Sequence, residues 1–353
     1  MAHDATSVAV LGASGYTGAE LLRVLVDHPR VRVVALCGNK SAGQPATTVF
    51  PHLAGRIALD IETVDAVAIA ERAEVAFLAL PHGHSAQVAK DLRAAGGKLR
   101  LIVDLSADFR LRDHGVYREW YGEHPCPELL EHAVYGLPEL SREGLAGADL
   151  IAAPGCYPTA TVLPIAPLLR ARLIEPSPLV VDAKSGVSGA GRTPSLAAHL
   201  PEAAEGVRPY KVAGSHRHTP EIEQALSRIA GTDVVVTFTP HLLPMSRGIL
   251  SCVYAQPSDP GRDPGAYLAC LRSAYQDEPF VTVLEDSLPD TAHVRGSNRA
   301  QVAVRYDQRA GRVVAMAAID NLVKGAAGQA VQCMNLALGF GETEGLGAVA
   351  MFP

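Results

Sequence analysis

Apolar residues in the first hundred positions come in short runs that alternate with helical spacing. Residues 7–11, Ser-Val-Ala-Val-Leu, form a run that ends at Gly12, and residues 17–26 then place Leu21, Leu22, Leu25 and Val26 on one helical face. A second run at 31–37 follows within about 30 residues of the first, which predicts a βαβ unit. Runs at 75–80 and 101–104 predict two more buried strands, with a helix over 85–95 between them. This is the alternation of a doubly wound parallel sheet. From 106 to 148 the periodicity weakens and aromatic, charged and proline residues mix, which predicts an ordered excursion with short helices.

Beyond Cys156 the pattern changes. Strand-like runs at 179–183, 234–239, 249–254, 301–306 and 313–319 outnumber helices, which predicts an α+β domain whose antiparallel or mixed sheet is covered on one face. A last helical pattern over 322–338 carries Val323, Ala327, Ala330, Val331, Met334 and Leu338 at spacings of three and four, and is expected to pack back on the first domain. The expected fold class is α/β, a Rossmann-type doubly wound sheet plus an α+β domain. Residues 1–155 and 320–353 make up the first and residues 156–319 the second.

Composition narrows the function. A chain of 353 residues suits two domains, and 48% hydrophobic with 19% charged residues excludes wholesale disorder. The net charge of -6 and the lack of a Lys/Arg cluster argue against nucleic acid as a partner. Residues 1–7 form neither a basic nor an apolar leader segment, and no run approaches the ~18 apolar residues of a membrane span. A soluble, cytoplasmic protein with no membrane partner is expected. Six cysteines, Cys37, Cys126, Cys156, Cys252, Cys270 and Cys333, lie far apart with no CxxC, which predicts reduced thiols.

The turn Gly12-Ala13-Ser14-Gly15-Tyr16-Thr17-Gly18 sits between a predicted strand and helix, where backbone N–H groups and the helix dipole suit a pyrophosphate. At the end of the second strand, Leu36-Cys37-Gly38-Asn39-Lys40-Ser41 holds no acid for ribose hydroxyls. An ammonium and a hydroxyl there suit an adenosine 2'-phosphate, so NADP(H) is preferred over NAD, the plain alternative for Lys40 being a solvated loop charge.

Pro154-Gly155-Cys156-Tyr157-Pro158-Thr159 lies between the strand-like 150–152 and a helical run over 159–173. A thiol at a helix N-terminus has a stabilised thiolate, whereas a cysteine in a Pro/Gly turn is otherwise a small buried hydrophobe. In Gly214-Ser215-His216-Arg217-His218-Thr219-Pro220-Glu221, Thr219 is expected as N-cap and Pro220 as the first helical residue. That places His216 and His218 just outside the helix, as base candidates or as surface histidines. His82 and His84 follow the strand 75–80, at the edge where open α/β sheets bind ligands. Two HxH pairs raise a metal site, but no carboxylate stands at a matching spacing and no metal is predicted. Arg110 and Arg247 follow strand-like segments and suit phosphate or carboxylate, or plain ion pairs. The loop from Lys184 to Arg192, with Ser188 and Gly189, is an anion site or a flexible turn.

These boxes, together with Leu80-Pro81-His82-Gly83-His84-Ser85, Ala107-Asp108-Phe109-Arg110-Leu111, Tyr135-Gly136-Leu137-Pro138-Glu139 and the 320–330 segment Asp-Asn-Leu-Val-Lys-Gly-Ala-Ala-Gly-Gln-Ala, stand in one order from about Val8 to Gly339. They closely resemble the N-acetyl-gamma-glutamyl-phosphate reductase family, related to the aspartate-semialdehyde dehydrogenases. The resemblance implies a Rossmann domain that regains the C-terminal helix, a catalytic and dimerisation domain, a homodimer or homotetramer, and NADPH-dependent reduction of an acyl phosphate through a Cys156 thioester. It implies His218 as the preferred acid/base, with His216 steering substrate or oxyanion, though the sequence leaves their order open. NADP(H) would meet Gly12, Ser14, Gly15, Tyr16, Thr17, Gly18, Lys40, Ser41, Leu80, Pro81, His82, Ser188, Gly189 and Asn321. Substrate would meet Ser106, Arg110, Arg192 and Arg247. Pro164 and Pro167 are expected to interrupt the helix after Cys156. The alternatives are a sister acyl-phosphate reductase of lysine biosynthesis acting on a carrier-linked substrate, a metal-dependent hydrolase using the HxH pairs, and a non-catalytic NADPH sensor.

Overall fold

The computed structural model describes residues 5–194, 196 and 199–352, so the polar opening at 1–4 lies outside the described residues. The chain divides into two compact units, Met1–Pro154 with Ala326–Gly347, and Gly155–Gly325 with Ala348–Pro353.

In the first unit the order is β1 (Thr6–Leu11), α1 (Tyr16–Leu25), β2 (Val31–Cys37), α2 (Ala46–Val49), β3 (Ile61–Glu62), α3 (Ala66–Arg72), β4 (Val75–Leu78), α4 (Ser85–Ala95), β5 (Leu101–Asp104), α5 (His114–Tyr121), β6 (Val134–Tyr135), α6 (Pro138–Leu145) and β7 (Leu150–Ala152). The seven strands are parallel in the order β3-β2-β1-β4-β5-β7-β6. Strand order reverses between β1 and β4, which creates a crevice at their carboxyl ends. All residues of β1, β4 and β5 are buried, as continuous apolar runs in a parallel sheet should be. The short strands β3 and β6 left no periodic signal, because two residues carry no alternation.

The second unit contains α7 (Cys156–Arg170), β8 (Leu179–Gly186), α8 (Leu200–Ala203), β9 (Arg208–Pro209), α9 (Thr219–Ala230), β10 (Val236–Leu243), β11 (Ile249–Ala255), α10 (Gly265–Tyr275), β12 (Val281–Val283), β13 (Ala300–Asp307) and β14 (Arg312–Ile319). Its sheet runs β12-β13-β14-β11-β8-β10-β9 and is mixed: β8 with β10 and β12 with β13 are parallel, the other pairs antiparallel. Burial alternates along β8, β10 and β11, so one face is packed and the other, with Val180, Leu250 and Tyr254, is open within this chain.

Several boundaries differ from expectation. Helix α7 begins at Cys156, not Thr159, because Pro158 lies in the first turn, where a missing N–H costs nothing. It is also a single helix through Pro164 and Pro167. The carbonyl that Pro167 leaves without an N–H partner, Leu163 O, accepts the Tyr275 phenol at 2.5 Å, so the bond is supplied from α10. The pattern at 322–338 is two pieces, a π-helical turn Val323–Ala327 and then α11 (Gly328–Ala337). Gly325 N–H reaches five residues back to Asp320 O, while the Asp320 carboxylate takes the N–H of Leu322 and Gly296. Residues 320–325 therefore belong to the second unit, and α11 packs with α1 and α6 in the first. Residues from Ala348 also join the second unit, where Met351 N–H donates to Arg295 O.

Candidate functional site

In the first unit the glycine turn is dictated by close approach. Gly12 has φ +85°, and a Cβ there would lie 2.2 Å from Ala79 O, just past β4. A Cβ on Gly18 would lie 2.5 Å from Gly12 O, so α1 seats directly on the turn. Gly12 and Ala13 N–H groups donate to Cys37 O, which ties the turn to the end of β2. Gly15 is the N-cap of α1 and supplies no side-chain cap, leaving the first-turn N–H groups to be satisfied from outside the helix. Lys40 and Ser41 lie in a 3-10 turn at the end of β2, with Lys40 exposed.

The other carboxyl-edge loops are held by buried carboxyls. Asp108 accepts N–H groups from Gly83 (2.8 Å) and Ala86 (3.0 Å) and the Tyr117 hydroxyl (3.2 Å). It caps α4 in place of His84, whose side chain makes no cap. Asp104 accepts the Ser106 N–H (3.0 Å) and hydroxyl (2.7 Å), and Ser106 Oγ in turn accepts Asp108 N–H (3.0 Å). Burial, and secondly the nearby Asp108 charge, push the Asp104 carboxyl up to about 7. His82 Nδ1 accepts Ala107 N–H at 2.9 Å. Arg110, almost fully buried, donates from Nε to Ala153 O and from Nη2 to Leu105 O, both at 2.8 Å.

In the second unit, Cys156 is the first residue of α7, half-buried, with Gly155 as N-cap. Gly155 N–H donates to Glu221 Oε1 at 2.8 Å, and Gly155 O accepts both N–H and hydroxyl of Thr159 at 3.0 Å. Gly325 must be glycine here, since a Cβ would lie 2.7 Å from Cys156 Cβ. The neighbouring Tyr157 ring stacks edge-on with His216 (5.4 Å between centroids), His218 (6.0 Å) and Phe238 (5.2 Å), and Tyr210 donates its hydroxyl to Tyr157 Oη at 3.0 Å. Burial raises both phenols well above their ordinary range, and a Cys156 thiolate raises them further, so both lie within electrostatic reach of the sulfur.

The two histidines differ. His216 is buried, and burial first, then the Lys211 charge, lower it to about 4. Its Nδ1 accepts His218 N–H at 3.0 Å, so the neutral ring carries its proton on Nε2. His218 is the half-buried N-cap residue of α9, with Thr219 first and Pro220 second in the helix. The expected cap is thus displaced by one residue, because His218 already has αR dihedrals.

Residues 7–148 match the family described as "Semialdehyde dehydrogenase, NAD binding domain", and residues 156–321 match "Semialdehyde dehydrogenase, dimerisation domain". Over 98% of its length the chain is 51% identical to the N-acetyl-gamma-glutamyl-phosphate reductase of Citrifermentans bemidjiense, covering 99% of that protein. It is 51% identical to that of Rhodospirillum rubrum, over 99% of each chain. The chain belongs to the N-acetyl-gamma-glutamyl-phosphate reductase family. Aspartate semialdehyde dehydrogenase II of Vibrio cholerae shares the fold at a TM-score of 0.72 and 17% identity, covering 95% of this chain and 98% of that one. The Candida albicans aspartate semialdehyde dehydrogenase with NADP does so at 0.64 and 15%, covering 94% and 98%.

For this member of the reductase family, the described residues bring Cys156, His216 and His218 to one aromatic cluster around Tyr157. Ser188, Gly189 and Asn321 form a second group in the same unit. Asn321 bridges Ser188 Oγ (2.9 Å) and Gly248 N–H (2.8 Å), and a Cβ on Gly189 would lie 3.4 Å from Ser185 Oγ. Arg247 lies 3.6 Å from the buried Asp320 carboxylate, while Arg192 is exposed. Gly12, Ser14, Gly15, Tyr16, Thr17 and Gly18 share one turn in the first unit. Leu80, Pro81 and His82 follow β4, and Ser106 and Arg110 follow β5. Cys37, Cys126 and Cys333 are buried, and burial pushes the Cys37 thiol up to about 12 and that of Cys126 to about 11. Among the described residues no three His, Cys, Asp or Glu side chains gather as a metal site would require, and no helix is long and apolar enough to cross a membrane.

Sequence reasoning passed over Asp104, Asp108, Tyr157, Tyr210, Glu221 and Gly325. Glu221, third in a helix opened by Thr-Pro, and Asp108, just before a strand-following arginine, had local signals. Tyr210 had none, since its role depends on a phenol brought in from 53 residues away.

Proposed function

We propose that this protein carries out the NADPH-dependent reductive dephosphorylation of N-acetyl-L-glutamyl 5-phosphate to N-acetyl-L-glutamate 5-semialdehyde and phosphate, a step of arginine biosynthesis. The carrying observation is Cys156 at the first position of α7, with His216 and His218 packed on the adjacent Tyr157, in a chain 51% identical to such reductases along its length.

The glycine turn fits a dinucleotide: two positions admit no Cβ, the N-terminus of α1 has no side-chain cap, and no acid ends β2. Gly12, Ser14, Gly15, Tyr16, Thr17 and Gly18 would hold the pyrophosphate, Lys40 and Ser41 the 2'-phosphate, and Leu80, Pro81, His82, Ser188, Gly189 and Asn321 the nicotinamide half. When bound, NADPH supplies the hydride that reduces the thioester.

Cys156 gives its proton to His218 and attacks the acyl carbonyl, and the C–O bond to phosphate breaks to leave a thioester. The half-buried His218 serves as acid/base, returning the proton to sulfur when the C–S bond breaks and the aldehyde leaves. His216, neutral by burial and acting as acceptor for His218 N–H, orients its neighbour and presents Nε2–H to the carbonyl oxygen. Arg192 and Arg247 bring positive charge to the anionic substrate. Ser106, whose hydroxyl donates to Asp104 and accepts the Asp108 N–H, is a further candidate to meet the substrate. Arg110 acts on that phosphate by charge, because its Nε and Nη2 hold backbone carbonyls.

In this reading the open sheet face of the dimerisation domain joins two copies, in a cytoplasmic homodimer or homotetramer. The test runs the reaction backwards: phosphate-dependent reduction of NADP with N-acetyl-glutamate semialdehyde, for wild type and Cys156→Ser. Reduction that requires phosphate and falls by at least about 1,000-fold in the variant supports the proposal. A wild type inactive with this semialdehyde but active with the longer lysine-pathway homologue overturns the substrate, and an active variant overturns the thioester.

A further inference from the structure

We infer that Glu221 is a positioning residue for the nucleophile: its carboxylate fastens the Gly155–Cys156 turn to the first turn of the helix that carries His218. The inference rests on the reading of Cys156 as nucleophile and His218 as acid/base.

In the usual N-terminal box, the acid at the third helical position turns back to the N–H of its own N-cap residue. Glu221 occupies that position in α9, and the N-cap is His218. Yet His218 N–H donates to His216 Nδ1, so the backbone donor that Glu221 would ordinarily take is already occupied. Its Oε1 accepts the N–H of Gly155, at the start of a different helix, at 2.8 Å. Glu221 is 1% exposed and the bond is buried, so water does not compete for it.

Gly155 has extended dihedrals, φ −67° and ψ 156°, and its N–H points outside the bonding pattern of α7. Glu221 holds that N–H, Thr159 holds the carbonyl of the same residue with two bonds, and Gly325 closes against Cys156 Cβ. The backbone that carries the sulfur is thereby fixed on three sides, leaving side-chain rotation as its main freedom. One carboxylate sets both reacting residues in register, being one residue from Cys156 through Gly155 and one helical turn from His218.

An amide oxygen at position 221 can accept the same N–H but carries no charge, so Glu221→Gln separates geometry from electrostatics, while Glu221→Ala removes both. The experiment measures kcat and KM in the phosphate-dependent reverse reaction for wild type, Cys156→Ser, Glu221→Gln and Glu221→Ala. It adds thermal melting, and the pH dependence of Cys156 alkylation by iodoacetamide, read on the Cys156 peptide by mass spectrometry. We expect Glu221→Ala to lose about 100-fold in kcat with KM for NADP little changed, and Glu221→Gln to stay within about tenfold of wild type. Loss of the negative charge in Glu221→Gln should also move the alkylation midpoint to lower pH.

Folded Glu221→Ala with kcat within about threefold of wild type overturns the inference, as does Glu221→Gln as damaged as Glu221→Ala. If Glu221→Ala does not fold, Glu221→Asp decides, because its shorter arm cannot reach Gly155 N–H from the same backbone, and kcat within about threefold of wild type overturns the inference. Activity retained in Cys156→Ser removes the nucleophile and the inference together. A wild type inactive with this semialdehyde fails the substrate reading alone, because alkylation still reports on the turn.

Discussion

The carboxyl edge of the first unit and the cluster around Cys156 in the second solve different problems with different materials. The first is shaped by what is missing: Gly12 and Gly18 admit no Cβ, and loops are tied down by the buried carboxyls Asp104 and Asp108. The second is shaped by what is present, a thiol, two imidazoles and two phenols packed edge to edge. A surface that binds through backbone N–H groups should be fragile to added atoms. A cluster that acts through side chains should be fragile to removed ones.

The sharpest way to break that contrast is to add one carbon to the turn. Gly12→Ala places a methyl 2.2 Å from Ala79 O on a residue with φ +85°, and neither backbone can yield. We expect a loss of about 3 kcal/mol or more by denaturant unfolding, together with loss of NADP binding by calorimetry. Alkylation of Cys156 in the folded fraction should be unaffected, and a Gly12→Ala protein of full stability and affinity would sink the steric account.

Next in size is the response to pH, in which the two units have opposite signs. His216, lowered from 6.5 to about 4, favours its neutral form in the folded state, so its contribution is present above pH 6.5 and lost as pH falls through about 4. Asp104, raised from 3.8 to about 7, also favours its neutral form, so its contribution is present below pH 3.8 and lost as pH rises through about 7. Each is worth on the order of a few kcal/mol over its window. Melting temperatures across pH 4–8 should therefore lose their alkaline slope in Asp104→Asn and part of their acid slope in His216→Asn. Parallel curves for wild type and both variants would show that neither group is coupled to folding.

The smallest effect should come from Lys40→Ala. An exposed ammonium on a 2'-phosphate contributes modestly, so we expect KM for NADPH to rise roughly tenfold with NADH unaffected. Equal rises for both cofactors would mean that Lys40 acts on something other than the 2'-phosphate.

The two regions were also unequally legible in the sequence. The parallel sheet announced itself through fully apolar runs such as Val8–Val10 and Val75–Leu78, and the glycine turn through its place between strand and helix. Cys156, His216 and His218 stood out because their local settings suit the chemistry proposed for them. Tyr210 did not, because its partner Tyr157 lies 53 residues away and no periodicity encodes a tertiary hydrogen bond; Asp104 did not, because its bonds to Ser106, two residues on, leave no periodic signal in an apolar strand. The start of α7 was placed at Thr159, just past Pro158, although proline is tolerated in a first helical turn, as was expected of Pro220.

The prolines of α7 carry one more consequence. Pro167 leaves Leu163 O without its helical partner, and the phenol of Tyr275 answers it from α10. The helix that begins at Cys156 is thus completed by another stretch of chain. For anyone hoping to transplant this cysteine into a new scaffold, the portable module is not the six-residue box around it. It extends to a tyrosine more than a hundred positions downstream, and a graft that omits it imports a helix with an unanswered carbonyl at its midpoint.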